Sequence, residues 1–147
     1  MTASVAVRAV REFADALIWN WAIAGTDAHA KNYSLVLRGS QARLAPFYDV
    51  ASALPYGVAE QKLRLAMKFG TGYRVNPGSK PWKQLGADLG LPADDIRSRA
   101  RALLEAIPDA FAAVSSTEEV RRLGSDLPGR LTDLVAERAK RCTRLLD

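Results

Sequence analysis

Residues 4 to 24 are apolar on more than one side of a helix, and a helix of that kind needs a domain built around it. Val10, Phe13, Leu17, Trp21 and Ala24 recur at intervals of three and four along one face, and Ala14 and Ile18 carry the apolar surface onto the next. The charged residues Arg8, Arg11, Glu12 and Asp15 occupy only its first part. The second half is therefore expected to be buried nearly all round, with Gly25 as its C-terminal stop. The most apolar stretch, Ala16 to Gly25, is about half of the roughly 20 residues a membrane span requires, and Asn20 interrupts it. It is a core helix rather than a span.

Two short strands are expected next, Tyr33 to Arg38 and Arg43 to Tyr48, joined by Gly39-Ser40-Gln41-Ala42 as a hairpin connection. Lys62 to Phe69 then alternates cleanly, with Leu63, Leu65, Met67 and Phe69 on one side and Lys62, Arg64, Ala66 and Lys68 on the other, as a half-buried strand with a solvated basic face does. Residues 70 to 80 are rich in Gly, Pro and Asn and read as a loop. The remainder reads as helical. Pro81 to Leu89 forms a short helix around Trp82 and Leu85, and Pro92 opens another that runs to Ile107, with Asp94 and Asp95 favouring its positive end. Pro108 is expected to interrupt it before a weaker segment over Ala110 to Val114. Ser116-Thr117-Glu118-Glu119 matches a capping box that starts a helix leading to Leu123. Gly124 to Gly129 reads as a turn. The last helix, Arg130 to Leu146, sets Leu131, Leu134, Val135, Cys142 and Leu145 on one face, with Arg138, Lys140, Arg141 and Arg144 near its negative end.

The chain of 147 residues, 48% hydrophobic and 25% charged, has the composition of one ordinary domain with a core of its own. Its net charge of +5 permits attraction to phosphates, but the basic residues are scattered among acids without a dense run, which argues against direct nucleic-acid binding. The single cysteine, Cys142, has no internal partner and reads as packing in a reducing compartment. No positively charged leader precedes an apolar run, so neither a signal peptide nor a membrane segment is expected, and the expected location is the cytoplasm. The tryptophans at 19, 21 and 82 read as packing residues.

Polar chemistry gathers just after the first helix. Asp27 and Asn32 lie five positions apart in Gly25-Thr26-Asp27-Ala28-His29-Ala30-Lys31-Asn32, and Asp49 follows in Pro46-Phe47-Tyr48-Asp49-Val50. A carboxylate, an amide five residues on and a second carboxylate beyond a hairpin is the arrangement a phosphoryl-transfer site uses to seat a hydroxyl and hold magnesium. Such transfer is mostly positioning and electrostatic stabilisation, and magnesium accepts one or two protein oxygens while keeping its other positions for water and phosphate. Asp27 suits the proton-accepting role, and Asn32 and Asp49 suit the metal. A four-residue hairpin loop puts Asn32 opposite Asp49, whereas a three-residue loop pairs Asn32 with Tyr48. The first register is preferred.

The run Asn20 to Asn32, with Leu44-Ala45-Pro46-Phe47-Tyr48-Asp49-Val50 and Lys62-Leu63-Arg64-Leu65-Ala66-Met67-Lys68, resembles the C-terminal kinase lobe of HipA-type toxins, bacterial serine/threonine protein kinases of toxin–antitoxin operons. The resemblance is carried by residues 10 to 106. It implies a mainly α (α+β) fold over residues 1–147, a kinase C-lobe-like helical domain with a small β-hairpin carrying the metal site. It makes Asp27 the catalytic aspartate, Asn32 and Asp49 the ligands of Mg2+ held with ATP, and it matches His29 and Lys31 to the pattern Asp-x-His-x-Lys-Asn, for phosphate contact or loop structuring. The implied partners are ATP, a protein substrate, and an antitoxin or a separately encoded N-lobe, since nothing before residue 10 has room for a nucleotide-covering loop and a phosphate-pairing lysine. An isolated chain is thus expected to need that lobe for activity.

Each residue taken alone has a plainer reading. Asp27 can be a turn former after Gly25, Asn32 a turn cap, Asp49 the start of a loop. One histidine cannot build a zinc site, and a loop lysine ordinarily meets only water. The second reading of the chain is a catalytically inactive remnant, a helical module that keeps the lobe's fold and binds a protein partner.

Overall fold

The computed structural model describes residues 3–39, 41–76 and 81–146. Helix α1 (Ala3–Ala22) is followed by hairpin strands β1 (Leu35–Arg38) and β2 (Gln41–Leu44), a second hairpin of β3 (Arg64–Phe69) and β4 (Gly72–Arg74), and then helices α2 (Pro81–Leu89), α3 (Ala93–Ser115), α4 (Glu118–Arg121) and α5 (Leu127–Arg144). Single 3₁₀ turns at Ala30–Asn32, Leu54–Tyr56 and Glu60–Lys62 lie between α1 and β3. The α-rich expectation holds, with two small antiparallel sheets rather than one hairpin and a lone strand. No described helix is long and apolar enough to cross a membrane.

The second half of α1 is buried nearly all round, as its pattern requires: Ala14, Ala16, Ile18 and Trp21 are fully enclosed. Trp21 stacks on Phe69 of β3 at 5.6 Å between ring centroids and meets Trp82 of α2 edge-on at 5.1 Å, while Phe69 and Trp82 are 5.4 Å apart. These three rings join α1, the second hairpin and α2. Ile96, Ala100, Leu104 and Ile107 of α3 and Val135, Ala139 and Cys142 of α5 complete the core. Burying each large apolar side chain stabilises the fold by about 1.5–3 kcal/mol. Trp19 is only half-buried and stacks on Phe111 at 5.9 Å.

The stop of α1 differs from expectation in one residue. Ala24, not Gly25, takes the left-handed conformation (φ 54°), and the Gly25 and Ala24 amides donate to the carbonyls of Asn20 (2.7 Å) and Trp21 (3.3 Å). This pair of bonds is a Schellman ending. Gly25 is needed for space, because a Cβ there would lie 2.5 Å from Asn20 Oδ1.

In the first hairpin Leu35 pairs with Leu44 and Arg38 with Gln41, so only positions 39 and 40 connect the strands. Both expected registers, with loops of four and three residues, are therefore displaced. Gly39 at φ 57° supplies the positive φ that a two-residue connection favours, and Gln41 and Ala42 join the ladder. Extended outward, this register would set Asn32 opposite Phe47.

Residues 72–74, expected in a loop, form β4 on β3, while 77–80 of that loop lie outside the described residues. The alternation in β3 holds, with Leu63, Leu65 and Phe69 buried, Met67 half-buried, and Lys62, Arg64 and Lys68 exposed. Helix α2 has its expected bounds, but α3 runs on through Pro108. Proline removes one helical donor; buried Leu104 and Ile107 before it and Phe111 packed on Trp19 after it hold the helix together. The cap of α4 is Thr117, whose hydroxyl accepts from the Val120 amide at 3.4 Å, because Ser116 already ends α3 by donating its amide to the Ala112 carbonyl. Helix α5 begins at Leu127 rather than 130. Its buried face is Val135, Arg138, Ala139 and Cys142, with Leu131 half-buried and Leu134 exposed. Arg138, read from sequence as one more charge near the helix end, is fully enclosed.

Candidate functional site

The site begins where α1 stops. The Schellman turn throws the chain sideways into Asp27, and the Asp27 carbonyl gathers three donors: the His29 amide at 2.8 Å, His29 Nδ1 at 3.0 Å and Asn32 Nδ2 at 3.2 Å. His29 Nδ1 also lies 3.0 Å from Asp27 Oδ1, so the tautomer with its proton on Nδ1 serves both oxygens of Asp27. The His29 ring thus bonds within its own loop. The Asp27 side chain is 72% exposed and open to a large partner.

Asn32 is the centre. It ends the Ala30–Asn32 turn, is buried, and besides its bond to the Asp27 carbonyl donates from Nδ2 to Asp49 Oδ2 at 3.0 Å. Both donor hydrogens are used on these acceptors, which leaves Oδ1 as the amide's acceptor atom. The expected meeting of Asn32 and Asp49 therefore occurs, although not by strand register. Both residues lie outside the strands, Asn32 in the turn before β1 and Asp49 beyond the end of β2 at φ 55°. For a residue with a Cβ the left-handed conformation costs roughly 1–2 kcal/mol, less for Asp, whose side chain bonds locally.

Around them the frame is polar and specific. Asn20, noted in the sequence as an interruption of the apolar helix, donates from Nδ2 to the Ala16 carbonyl and to Tyr33 Oη, both at 3.0 Å. Burial raises the pKa of Tyr33 above that of a free phenol, with the Asn20 contact opposing, and its ring lies edge-on to Phe13 at 5.0 Å. Tyr48 Oη donates to the Lys31 carbonyl at 3.0 Å and lies 2.8 Å from Ser34 Oγ. Lys31 itself is exposed. The chain after Asp49 is stitched back to the end of α1: Ser52 Oγ donates to the Ile23 carbonyl at 2.6 Å, and the Ala53 amide to that of Ala24 at 3.0 Å. Asn20, Tyr33 and Ser52 were not singled out as functional from sequence. A buried asparagine in an apolar helix was the available signal for the first.

The oxygens of Asn32 and Asp49 suit a hard cation. Among the described residues no group of three or more His, Cys, Asp or Glu side chains is placed to hold a metal. An amide oxygen and one carboxylate are too few for an all-protein cage but fit magnesium, which shares its shell with water and phosphate.

The match to known proteins falls on these residues. The family model for the HipA-like C-terminal domain matches residues 1–111, and the chain belongs to that family. It is 27% identical over 132 residues to a Sinorhizobium fredii protein named as a kinase, Y4mE, covering 89% of this chain and 31% of that protein. It is 33% identical over 100 residues to the serine/threonine-protein kinase toxin HipA of Shewanella oneidensis, covering 66% of this chain and 22% of the toxin. Among solved structures, a chain in the Shewanella oneidensis toxin–antitoxin complex of HipA, HipB and operator DNA superposes with a TM-score of 0.73 at 23% identity, covering 98% of this chain and 35% of that one. The fold is thus shared along almost the whole chain, which spans about a third or less of the proteins it resembles. With operator DNA in that solved complex, the charge-pattern argument against nucleic-acid contact gains no support.

Proposed function

We propose that this chain is the metal-holding, proton-accepting lobe of an ATP-dependent serine/threonine protein kinase of the HipA type, acting in the cytoplasm together with a nucleotide-covering N-lobe. The observation that carries the reading is the bridge made by Asn32, whose one amide nitrogen donates to both the Asp49 carboxylate and the Asp27 carbonyl. It ties a proton acceptor and a metal-binding carboxylate into one unit. The left-handed backbone at Asp49 supports it, since strain of this kind gathers at ligand sites.

Asp27 accepts the proton of the incoming protein hydroxyl; its exposure leaves room for a macromolecular substrate, and His29 steadies its loop. Asn32 through Oδ1 and Asp49 through its carboxylate would hold magnesium on ATP, and the ion when bound supplies positive charge against the phosphate oxygens. Lys31, exposed beside them, is available to a phosphate. The protein substrate and an antitoxin or N-lobe are the partners this reading implies.

A melting-temperature series tests it. A rise that requires both magnesium and ATP and vanishes in Asp49→Ala is the expected result. With an N-lobe supplied, Asp27→Asn should keep that rise and lose phosphoryl transfer. A second reading, an inactive module that binds a protein partner, is favoured by the apolar residues exposed on β1, with Leu35 60% and Leu37 72% exposed. No rise with either ligand, together with tight partner binding, would decide for it.

A further inference from the structure

Helix α5 lies beyond the residues matched by the family model, yet it sends a fully buried guanidinium to the end of α1, from which the site loop departs. Arg138 Nη2 donates to the Trp21 carbonyl at 2.8 Å and the Val75 carbonyl at 3.2 Å, and Nη1 donates to Glu60 Oε2 at 2.5 Å. The Trp21 carbonyl is the same one that receives the Ala24 amide in the Schellman turn. One end of Arg138 thus grips the turn that aims Asp27. The other grips Glu60, in the segment that runs on from Asp49, and Arg141 Nη2 holds the second Glu60 oxygen at 2.6 Å. The same helix packs on the Leu54–Tyr56 turn. Between these grips the two segments are already laced by the Ser52 and Ala53 bonds to Ile23 and Ala24.

We propose that Arg138 is a positioning residue of the candidate site: through its bonds to the Trp21 carbonyl and Glu60 it sets the separation between the loop bearing Asp27 and the segment bearing Asp49. A buried arginine suits this task because its planar fork serves several acceptors in a fixed geometry, where a lysine offers a single point of charge. Without it, the Val75 carbonyl loses this donor, the Trp21 carbonyl keeps only the longer bond from the Ala24 amide, and the lacing above them must hold alone. This inference rests on reading Asp27 and Asp49 as one site.

Amide hydrogen exchange by NMR on the full chain, without nucleotide, tests it. In Arg138→Met the amides of Ala24, Gly25 and Ala53 should exchange at least about tenfold faster relative to those of Ala100 and Leu104 in α3, and the Asn32 side-chain amide resonance should shift. Arg138→Lys should show the same pattern at smaller size. Arg141→Met, which removes only the half-exposed partner of Glu60, should leave the Asn32 signal in place. Unchanged exchange at Ala24, Gly25 and Ala53, or equal acceleration throughout α3, would overturn the proposal. Since no ATP is used, an Arg138 variant that loosens these amides in a chain showing no response to magnesium and ATP would retain the buttress and sink the kinase reading instead.

Discussion

Trp21 and Asp27 are six positions apart and belong to different kinds of structure. Trp21 is sealed among Phe69 and Trp82, each within 1% of complete burial, whereas the Asp27 side chain is 72% exposed in a loop held by hydrogen bonds. The body is fixed by apolar area and the site by directional polar contacts, and one helix end joins them. Stability and chemistry should therefore respond to different substitutions. On the proposed function, a change in the loop should cost rate without cost to folding, and a change in the ring cluster should do the reverse.

The sharpest separation is expected at Asp27. Replacing a positioned proton acceptor lowers rate by about 10²- to 10⁴-fold, so Asp27→Asn should remove transfer in an assembly with an N-lobe. Its unfolding free energy should stay within about 0.5 kcal/mol of the parent in urea titration, as for other exposed substitutions. Trp82→Ala inverts the pattern. It empties a cluster that joins three elements and should cost about 3–5 kcal/mol, while the Asn32 side-chain resonance keeps its position in the molecules that remain folded. Gly70→Ala should cost on the order of 2 kcal/mol or more by the same titration, because a Cβ there would lie 2.3 Å from the Pro81 carbonyl oxygen at a backbone φ of 59°.

The smallest effect links the two regions through pH. Burial pushes the Glu60 pKa up, but the Arg138 charge and the bonds from Arg141 and Asn76 outweigh it, and the group titrates below its ordinary value. A carboxyl whose folded pKa is depressed contributes stability above its unfolded pKa and loses that contribution as pH falls through the folded one. Melting temperature should therefore decline on acidification below the usual carboxylate range. Glu60→Gln should be less stable at neutral pH and show a shallower decline. Cys142, pushed up to about 11 by burial, should stay unreactive toward thiol reagents in the folded chain at neutral pH.

Much of the body was legible because burial imposes periodicity. The all-round apolar second half of α1, the alternation in β3 and the bounds of α2 follow from spacing alone. The misses arose where tertiary contacts override local signals. Pro108 fails to break α3 because neighbours on both sides are packed, and Arg138, read only as one of four charges near the helix end, is drawn into the interior by Glu60 and two carbonyls. The site was legible in another way. The meeting of Asn32 with Asp49 was expected from a hairpin register that the structure does not have, and it is reached through a 3₁₀ turn and a left-handed residue instead. Spacing between functional groups thus carried information that strand counting did not. Asn20, Tyr33 and Ser52 stayed hidden because their partners lie as far as 29 residues away in sequence.

The central claim, that Asn32 and Asp49 converge on one cation held with ATP, is tested most directly by replacing magnesium with paramagnetic manganese and recording NMR line broadening with ATP present. The account predicts that the Asn32 and Asp49 resonances broaden first, that ATP is required at low manganese, and that Asp49→Ala abolishes the effect. Broadening centred on exposed carboxylates elsewhere, such as Asp94 and Asp95, or unaltered in Asp49→Ala, would contradict it.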